Sequence, residues 1–237
     1  MPDSSISNSS ETFACSTKGR PFKERIFGLI YLFIGLTIAH FGVALFILSD
    51  LGTDTFTVFI QGLAHTVGLS IGTCHVMVLI LLTVIMAVFT RGYIKAGSVV
   101  CAFCGGWIID FFMWCLHPVI NSSLNIVLRI AIMLTGCVIL SIGMSVVIES
   151  HAGTGPNDLI AIILTDKLRK TFPSLQFRTV RIICDALFTA IGFILGGNVG
   201  IGTVAAAFLT GPLVQFFLPK SRSVILKLNG LLLAKKQ

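Results

Sequence analysis

Gly153-Thr154-Gly155-Pro156-Asn157-Asp158 is a polar, turn-forming stretch between two strongly apolar runs of the chain. A similar break, Gly52-Thr53-Asp54-Thr55-Phe56-Thr57, begins 101 positions earlier (153 − 52 = 101). The same shift superposes two pairs of glycines in the preceding runs, Gly35 on Gly136 and Gly42 on Gly143. Repeated matches at one offset are hard to obtain by chance, so the sequence predicts two copies of one unit.

The composition is typical of a polytopic α-helical membrane protein. Of the 237 residues, 55% are apolar and 11% are charged, and the mean hydropathy is +0.96. Soluble proteins carry about 25% charged residues. The net charge of +7 comes almost wholly from Lys and Arg in the tails and short loops, where it sets membrane orientation. The lipid bilayer is therefore the expected environment, and no nucleic-acid partner is expected.

Six apolar runs are long enough to cross a bilayer as helices. They are Ile26 to about Leu48, Leu69–Phe89, Ala96 to about Leu116, Ile126–Ile148, Phe177–Leu195 and Ile201–Leu218. Two shorter stretches, residues 55–66 and 156–170, follow the breaks. They are predicted as short broken helices, and re-entrant, interfacial and spanning placements all stay open.

The positive charges favour six spans with both termini in the cytoplasm. In that arrangement Arg91, Lys95, Lys167 and Lys170 lie inside, whereas Arg129 alone falls toward the outer side. The resulting division is a disordered cytoplasmic tail (1–25), two transmembrane repeats (26–117 and 124–219) and a basic cytoplasmic tail (220–237).

The repeat continues beyond the breaks at a slightly larger offset. Residues 97–112 match residues 202–217 at a shift of 105 (202 − 97 = 105), which places Asp110 on Gln215. Because each copy has an odd number of spans, the two copies must enter the membrane from opposite faces. The predicted fold is therefore all-α, with six transmembrane helices in a 3+3 inverted repeat like that of many secondary transporters.

Six motifs of the sequence are distinctive: Leu51-Gly52-Thr53, Gln61-Gly62-Leu63, Gly68 to Thr73, Gly153 to Asp158, Gly196 to Thr203 and Gly211 to Gln215. In these motifs the chain resembles the YczE/YyaS/YitT-type bacterial membrane proteins, and the resemblance covers about residues 26–219. The resemblance implies an integral membrane protein of bacterial type, hence a multi-pass protein of the inner membrane. In such proteins the first copy usually also has a Gly-Pro-x-Asp turn, which this chain replaces with Thr53-Asp54-Thr55-Phe56-Thr57.

The second break has the residues of a helix start. Gly153 and Gly155 permit unusual backbone angles, Pro156 suits the first helical position, and Asn157 and Asp158 fall in the first turn. One interpretation is a discontinuous helix that exposes backbone groups to a ligand. In that case Thr154 and the residues at the equivalent break, Gly52, Thr53 and Asp54, would belong to the same site. The other is a capping loop at the cytoplasmic interface, and both stay open.

Ionisable residues inside apolar runs are candidates for a solute or ion pathway, since such groups usually face a cavity or a partner. Arg181 and Asp185, at i and i+4, indicate either a satisfied ion pair or the wall of a polar pathway. Asp110 is expected to meet its repeat mate Gln215, either as a proton-carrying group or as an interhelical hydrogen bond. His40 is expected to be packed.

The sequence contains no enzyme motif, and neither a cofactor nor a metal site is expected. Cys101 and Cys104 fit a C-x-x-C spacing, but they lie in a membrane run without a second pair, which favours packing. The leading hypothesis is a transporter of a small solute, with proton coupling through Asp110 and a homodimer as further expectations. The alternative is a non-transporting scaffold that assists a partner protein or a biosynthetic assembly.

Overall fold

A computed structural model describes residues 22–89, 94–120, 124–169, 172 and 175–234. In these residues all regular structure is helical. The eight helices are α1 (Phe22–Ser49), α2 (Thr55–Val67), α3 (Ile71–Phe89), α4 (Ala96–Leu116), α5 (Ile126–Glu149), α6 (Pro156–Arg169), α7 (Phe177–Ile194) and α8 (Ile201–Ala234). The predicted disordered tail lies outside the described residues, apart from residues 22–25, which begin α1.

Each apolar run and each short stretch of the sequence coincides with one helix. Five helices, α1, α3, α4, α5 and α8, are long and apolar enough to cross a membrane. The predicted fifth span corresponds to α7, whose 18 residues include Arg178, Arg181 and Asp185 and which is not among those five. The chain is thus a polytopic helical membrane protein.

The last helix is longer than predicted. α8 continues through Pro219 to Ala234, so the residues of the predicted basic tail up to that point are helical. Tertiary contacts anchor this extension: the hydroxyls of Ser221 and Ser145 lie 2.6 Å apart, and the Tyr31 hydroxyl donates to Asn229 Oδ1 at 3.0 Å. Residues 235–237 lie outside the described part of the chain.

α1 and α5 form the most extensive helix–helix contact of the described residues, and they pack through glycines. A Cβ atom on Gly35 would lie 3.0 Å from the Gly143 carbonyl oxygen, and one on Gly42 would lie 2.7 Å from that of Gly136. The glycines therefore let the two backbones approach closely, as small residues do between membrane helices. Because the residue number rises along α1 while its partner's number falls along α5, the two helices are antiparallel.

The two breaks have matching backbone conformations. Asp50 and His151, 101 positions apart, both have φ 52°, and Gly52 and Gly153 follow with φ 98° and 149°. The first break follows α1 and leads into the short helix α2, and the second follows α5 and leads into the short helix α6. The same order of elements, long helix, break, short helix and two further helices, therefore occurs twice.

Candidate functional site

The first break places Asp54 at the start of α2. Asp54 has extended backbone angles (φ −62°, ψ 156°), and its Oδ2 accepts a hydrogen bond from the Thr57 amide at 3.2 Å. A short acidic side chain is a favoured N-cap because it satisfies a helix N–H group that has no partner within the helix. The next residue, Thr55, donates its hydroxyl hydrogen to Asp185 Oδ1 on α7 at 2.9 Å. The N-terminus of α2 is thus bound to α7.

The second break places Asp158 in the first turn of α6, which begins at Pro156 as the sequence predicts. The Gly155 carbonyl accepts hydrogen bonds from the amides of Asp158 and Leu159. Asn157 donates to Asp158 Oδ1 at 3.3 Å, and the Arg181 guanidinium lies 2.8 Å from the same oxygen. The N-terminus of α6 is therefore also bound to α7.

Arg181 and Asp185 join the two helix starts. They lie one turn apart on α7, about 6 Å along its axis, and the Arg181 Nε is 3.3 Å from Asp185 Oδ2. A continuous chain of contacts runs from Thr55 through Asp185 and Arg181 to Asp158. Asp54, the N-cap residue next to Thr55, lies near Asp185. We call Asp54, Asp158, Arg181 and Asp185 the ionic cluster.

The ionic cluster is partly enclosed. The exposed fractions of the side chains are 15% for Asp158, 33% for Asp185 and 38% for Arg181. A charged group in the middle of a bilayer costs about 2.5 to 3.5 kcal/mol on insertion scales, so pairing and hydration of such groups stabilise the fold. The sequence predicted the Arg181–Asp185 pair from its spacing, but not the partner that joins it to the second break.

Asp54 is the member of the cluster with the least compensation. Its Oδ1 atom is buried and has no hydrogen-bond partner among the described residues. Burial raises the pKa of the Asp54 carboxyl above its ordinary value, and the nearby charge of Asp185 acts in the same direction, against the hydrogen bonding with Thr57. The fold therefore makes the charged form of Asp54 less favourable than it is for an exposed aspartate.

Asp110 binds a helix start rather than its repeat mate. Its Oδ1 accepts from the Gly72 amide at 2.8 Å, and its Oδ2 accepts from the Ser70 hydroxyl at 2.6 Å. Both oxygens thus bind residues at the N-terminus of α3, and neither binds Gln215, which is exposed on α8. Of the two alternatives for this residue, a proton-carrying group and an interhelical hydrogen bond, the geometry is that of the hydrogen bond.

The remaining residues of the breaks pack against helix starts. Thr53 is 1% exposed, and a Cβ on Gly52 would lie 2.7 Å from the Thr203 hydroxyl. In the second break the Thr154 carbonyl accepts from the Ser98 hydroxyl at 2.7 Å, and a Cβ on Gly153 would lie 2.9 Å from the Ser98 amide. These residues hold the breaks in place and lie outside the ionic cluster.

The structure reveals a histidine pair that the sequence did not predict. The ring centroids of His40 and His75 lie 5.4 Å apart, and both residues are buried. His40 Nδ1 lies 2.7 Å from the Leu36 carbonyl, whereas His75 Nδ1 has no hydrogen-bond partner among the described residues. The two histidines are 35 positions apart in different apolar runs, so no local spacing could have indicated the pair.

Two other features fall outside the candidate site. A groove of about 290 Å³ lies between α3 and α6. Its described lining is apolar apart from Lys167, which makes the groove unsuited to a polar solute. Within the described part of the chain, no three His, Cys, Asp or Glu side chains are grouped so as to hold a metal ion. The ionic cluster is therefore the candidate site.

Comparison with known proteins places the chain in a family. The family of unknown function DUF6198 matches residues 26–219. The chain is 30% identical to the uncharacterized protein YyaS of Bacillus subtilis (strain 168) over 192 residues, which are 80% of this chain and 92% of that protein. It is also 30% identical to the uncharacterized membrane protein YczE of the same organism over 200 residues, 84% of this chain and 89% of that protein.

An uncharacterized protein of Haemophilus influenzae is 27% identical over 187 residues, 79% of this chain and 81% of that protein. No solved structure matches the chain. The family match covers both breaks and all the helices that carry the ionic cluster. The chain therefore belongs to DUF6198, a family of unknown function, and to the YczE/YyaS-type bacterial membrane proteins.

Proposed function

We propose that this protein is a transporter of a small solute in the bacterial inner membrane and that the ionic cluster lies on the solute or ion pathway. The observation that carries the proposal is the meeting of two broken helices at one ionic site. The N-termini of α2 and α6 both bind α7 within one turn, through Asp185 and Arg181. Discontinuous helices whose ends point at a site near the membrane centre are a recurring device of secondary transporters.

The proposed architecture is a 3+3 inverted repeat. Support comes from the antiparallel α1–α5 pair, in which Gly35 contacts Gly143 and Gly42 contacts Gly136. The sequence repeat equates Gly35 with Gly136 and Gly42 with Gly143. Swapping the two copies therefore turns the contact between Gly35 and Gly143 into the contact between Gly136 and Gly42. This is what a two-fold axis between α1 and α5 would produce, and an axis in the membrane plane would also invert one copy.

In this proposal α7 is the sixth span, and α2 and α6 are re-entrant. At 1.5 Å per residue, the 18 residues of α7 extend about 27 Å, close to the hydrocarbon thickness. Its charged residues find partners on the two short helices, which reduces the cost of placing them in the membrane. Six spans would put both termini on the same side of the membrane, and the distribution of Lys and Arg favours the cytoplasmic side.

The test is solute uptake by purified protein in proteoliposomes, screened with and without a pH gradient. Asp158→Asn removes the charge that binds Arg181, and uptake is expected to fall at least tenfold. Asp110→Asn is the matched control, since it makes the same change in a carboxylate outside the cluster. If both variants transport like the wild type, the cluster has no part in the mechanism.

A scaffold would give a different result. Wild-type protein that moves no solute and crosslinks in cells to a soluble partner in a fixed ratio would replace the transport proposal with an accessory role.

A further inference from the structure

We propose that the ionic cluster binds a small monovalent cation, a proton or Na⁺, at Asp54. This inference deepens the proposed transport function and rests on it for its purpose, since such a cation would be the coupling ion. It also moves the coupling site from Asp110, whose two carboxylate oxygens bind the start of α3, to the first break.

The first argument is the charge of the site. The cluster has three carboxylates and one guanidinium: Asp158 and Asp185 both pair with Arg181, and Asp54 lies close enough to Asp185 to feel its charge. With all four groups ionised the net charge is −2 (+1 − 3), which is costly in a partly enclosed site. A bound cation or a proton lowers that cost, whereas an anionic solute would raise it.

The second argument is the vacant acceptor on Asp54. Oδ2 is occupied by the Thr57 amide, but Oδ1 is buried and has no hydrogen-bond partner among the described residues. An unpaired buried carboxylate oxygen is rare because it loses its hydration without compensation. Protonation or coordination of a cation would supply the missing partner.

The third argument is the set of groups near Asp54. Asp185 on α7 adds negative charge, and Arg181 is already shared between Asp185 and Asp158. Cys184 on α7 and Cys101 on α4 lie near the cluster, but thiols are ordinarily uncharged at neutral pH. On α3, His75 contacts Phe56, and on α8 the neutral Thr203 packs against the break. Among the described residues, Arg181 is the cation that pairs with carboxylates of the cluster, those of Asp158 and Asp185.

The experiment compares the melting temperature of full-length wild type with that of Asp54→Asn in lipid nanodiscs. Asparagine is an equally good N-cap, so the variant keeps the hydrogen bond to Thr57. The measurements cover about pH 5 to about pH 8 in choline chloride, with Na⁺ then replacing choline at constant ionic strength. Asp110→Asn is the control, because it neutralises a helix-binding carboxylate outside the cluster.

The folded protein holds the Asp54 proton more tightly than the unfolded chain does. The stability of the folded protein should therefore fall as the pH rises from about 5 to about 8. We expect the wild type and Asp110→Asn to lose several degrees that Asp54→Asn retains. If the site also takes Na⁺, the salt should raise the wild-type melting temperature at the alkaline end by about 3 °C or more, with no rise for Asp54→Asn.

A response to pH alone identifies the proton as the cation, and a response to Na⁺ that depends on Asp54 identifies the metal ion. The proposal is overturned if the wild type responds to neither, or if Asp54→Asn responds as the wild type does. Binding is measured without transport, so a failed uptake screen would remove the transport proposal and leave this one standing.

Discussion

The backbone N–H of Gly202 donates a hydrogen bond of 2.7 Å to the carbonyl oxygen of Leu51. Its counterpart in the other half is the bond of 3.2 Å from the Gly97 amide to the Ala152 carbonyl. The sequence repeat equates Leu51 with Ala152 and Gly97 with Gly202. Each break is thus bound to the start of a long helix from the opposite half, so neither broken helix can move without disturbing α4 or α8.

Substitution of Gly52 by alanine should destabilise the protein strongly. Gly52 has φ 98°, and its new Cβ would lie 2.5 Å from the Gly200 amide nitrogen and 2.7 Å from the Thr203 hydroxyl. Backbone strain and overpacking together should cost about 2 to 4 kcal/mol. The loss can be measured as a fall in the melting temperature of the solubilised protein.

The control for this prediction is Gly68→Ala. Gly68 also has a left-handed φ, 73°, but among the described residues other than its two chain neighbours no atom lies within 4 Å of a Cβ placed there. It should therefore show the strain alone, about 1 to 2 kcal/mol. Equal losses for the two variants would mean that the contact with α8 contributes nothing.

Local sequence patterns predicted the helices well because hydrophobic length and turn residues are local properties. Pro156 marks the first residue of α6, and the six runs and two short stretches each became one helix. The extension of α8 was missed because it depends on distant contacts such as that between Ser221 and Ser145.

The candidate site was predicted only in part, for the same physical reason. The Arg181–Asp185 pair follows from helical spacing, whereas the Arg181–Asp158 contact and the His40–His75 pair require the helices to be assembled. Asp110 stands out in the sequence as a charged residue in an apolar run, but its partners at the start of α3, Ser70 and Gly72, lie about 40 positions away.

A double-mutant cycle should show that Arg181 and Asp158 act together. Arg181→Gln leaves partly enclosed carboxylates without their cation, and Asp158→Asn removes one of them. The double variant should therefore lose less stability than the sum of the single variants, with a coupling energy of about 1 to 3 kcal/mol. The three variants can be compared by unfolding in mixed micelles.

The ion pair between Arg129 and Asp50 provides the control for this cycle. Its 3.0 Å contact is similar in length, but the Asp50 side chain is 59% exposed. Because water screens the Asp50 carboxylate, although the Arg129 side chain is only 17% exposed, this pair should give a coupling energy of about 0 to 1 kcal/mol. A smaller coupling for Arg181 and Asp158 than for this pair would show that the ionic cluster is not an energetic unit.

Asp110→Ala should reduce stability without abolishing transport. The substitution removes both acceptors from the start of α3, and loss of such a cap costs about 0.5 to 2 kcal/mol. Asp110→Asn keeps one acceptor and should lose less. The comparison requires the melting temperature and the uptake rate of the same preparations. A stable Asp110→Asn protein with no uptake would return the coupling role to this residue.

Single cysteines introduced at Lys95 and Lys167 should react with a membrane-impermeant thiol reagent from the same, cytoplasmic side. Lys95 precedes α4 and Lys167 lies in the last turn of α6, so the proposed topology places both at the inner surface. A cysteine at His117, just after α4, should react from the opposite side. The background must lack the native cysteines, most of which are buried. Labelling of positions 95 and 167 from opposite sides would rule out six spans in two inverted copies. In that case α6 would itself cross the membrane, and the helices after it would have the opposite orientation.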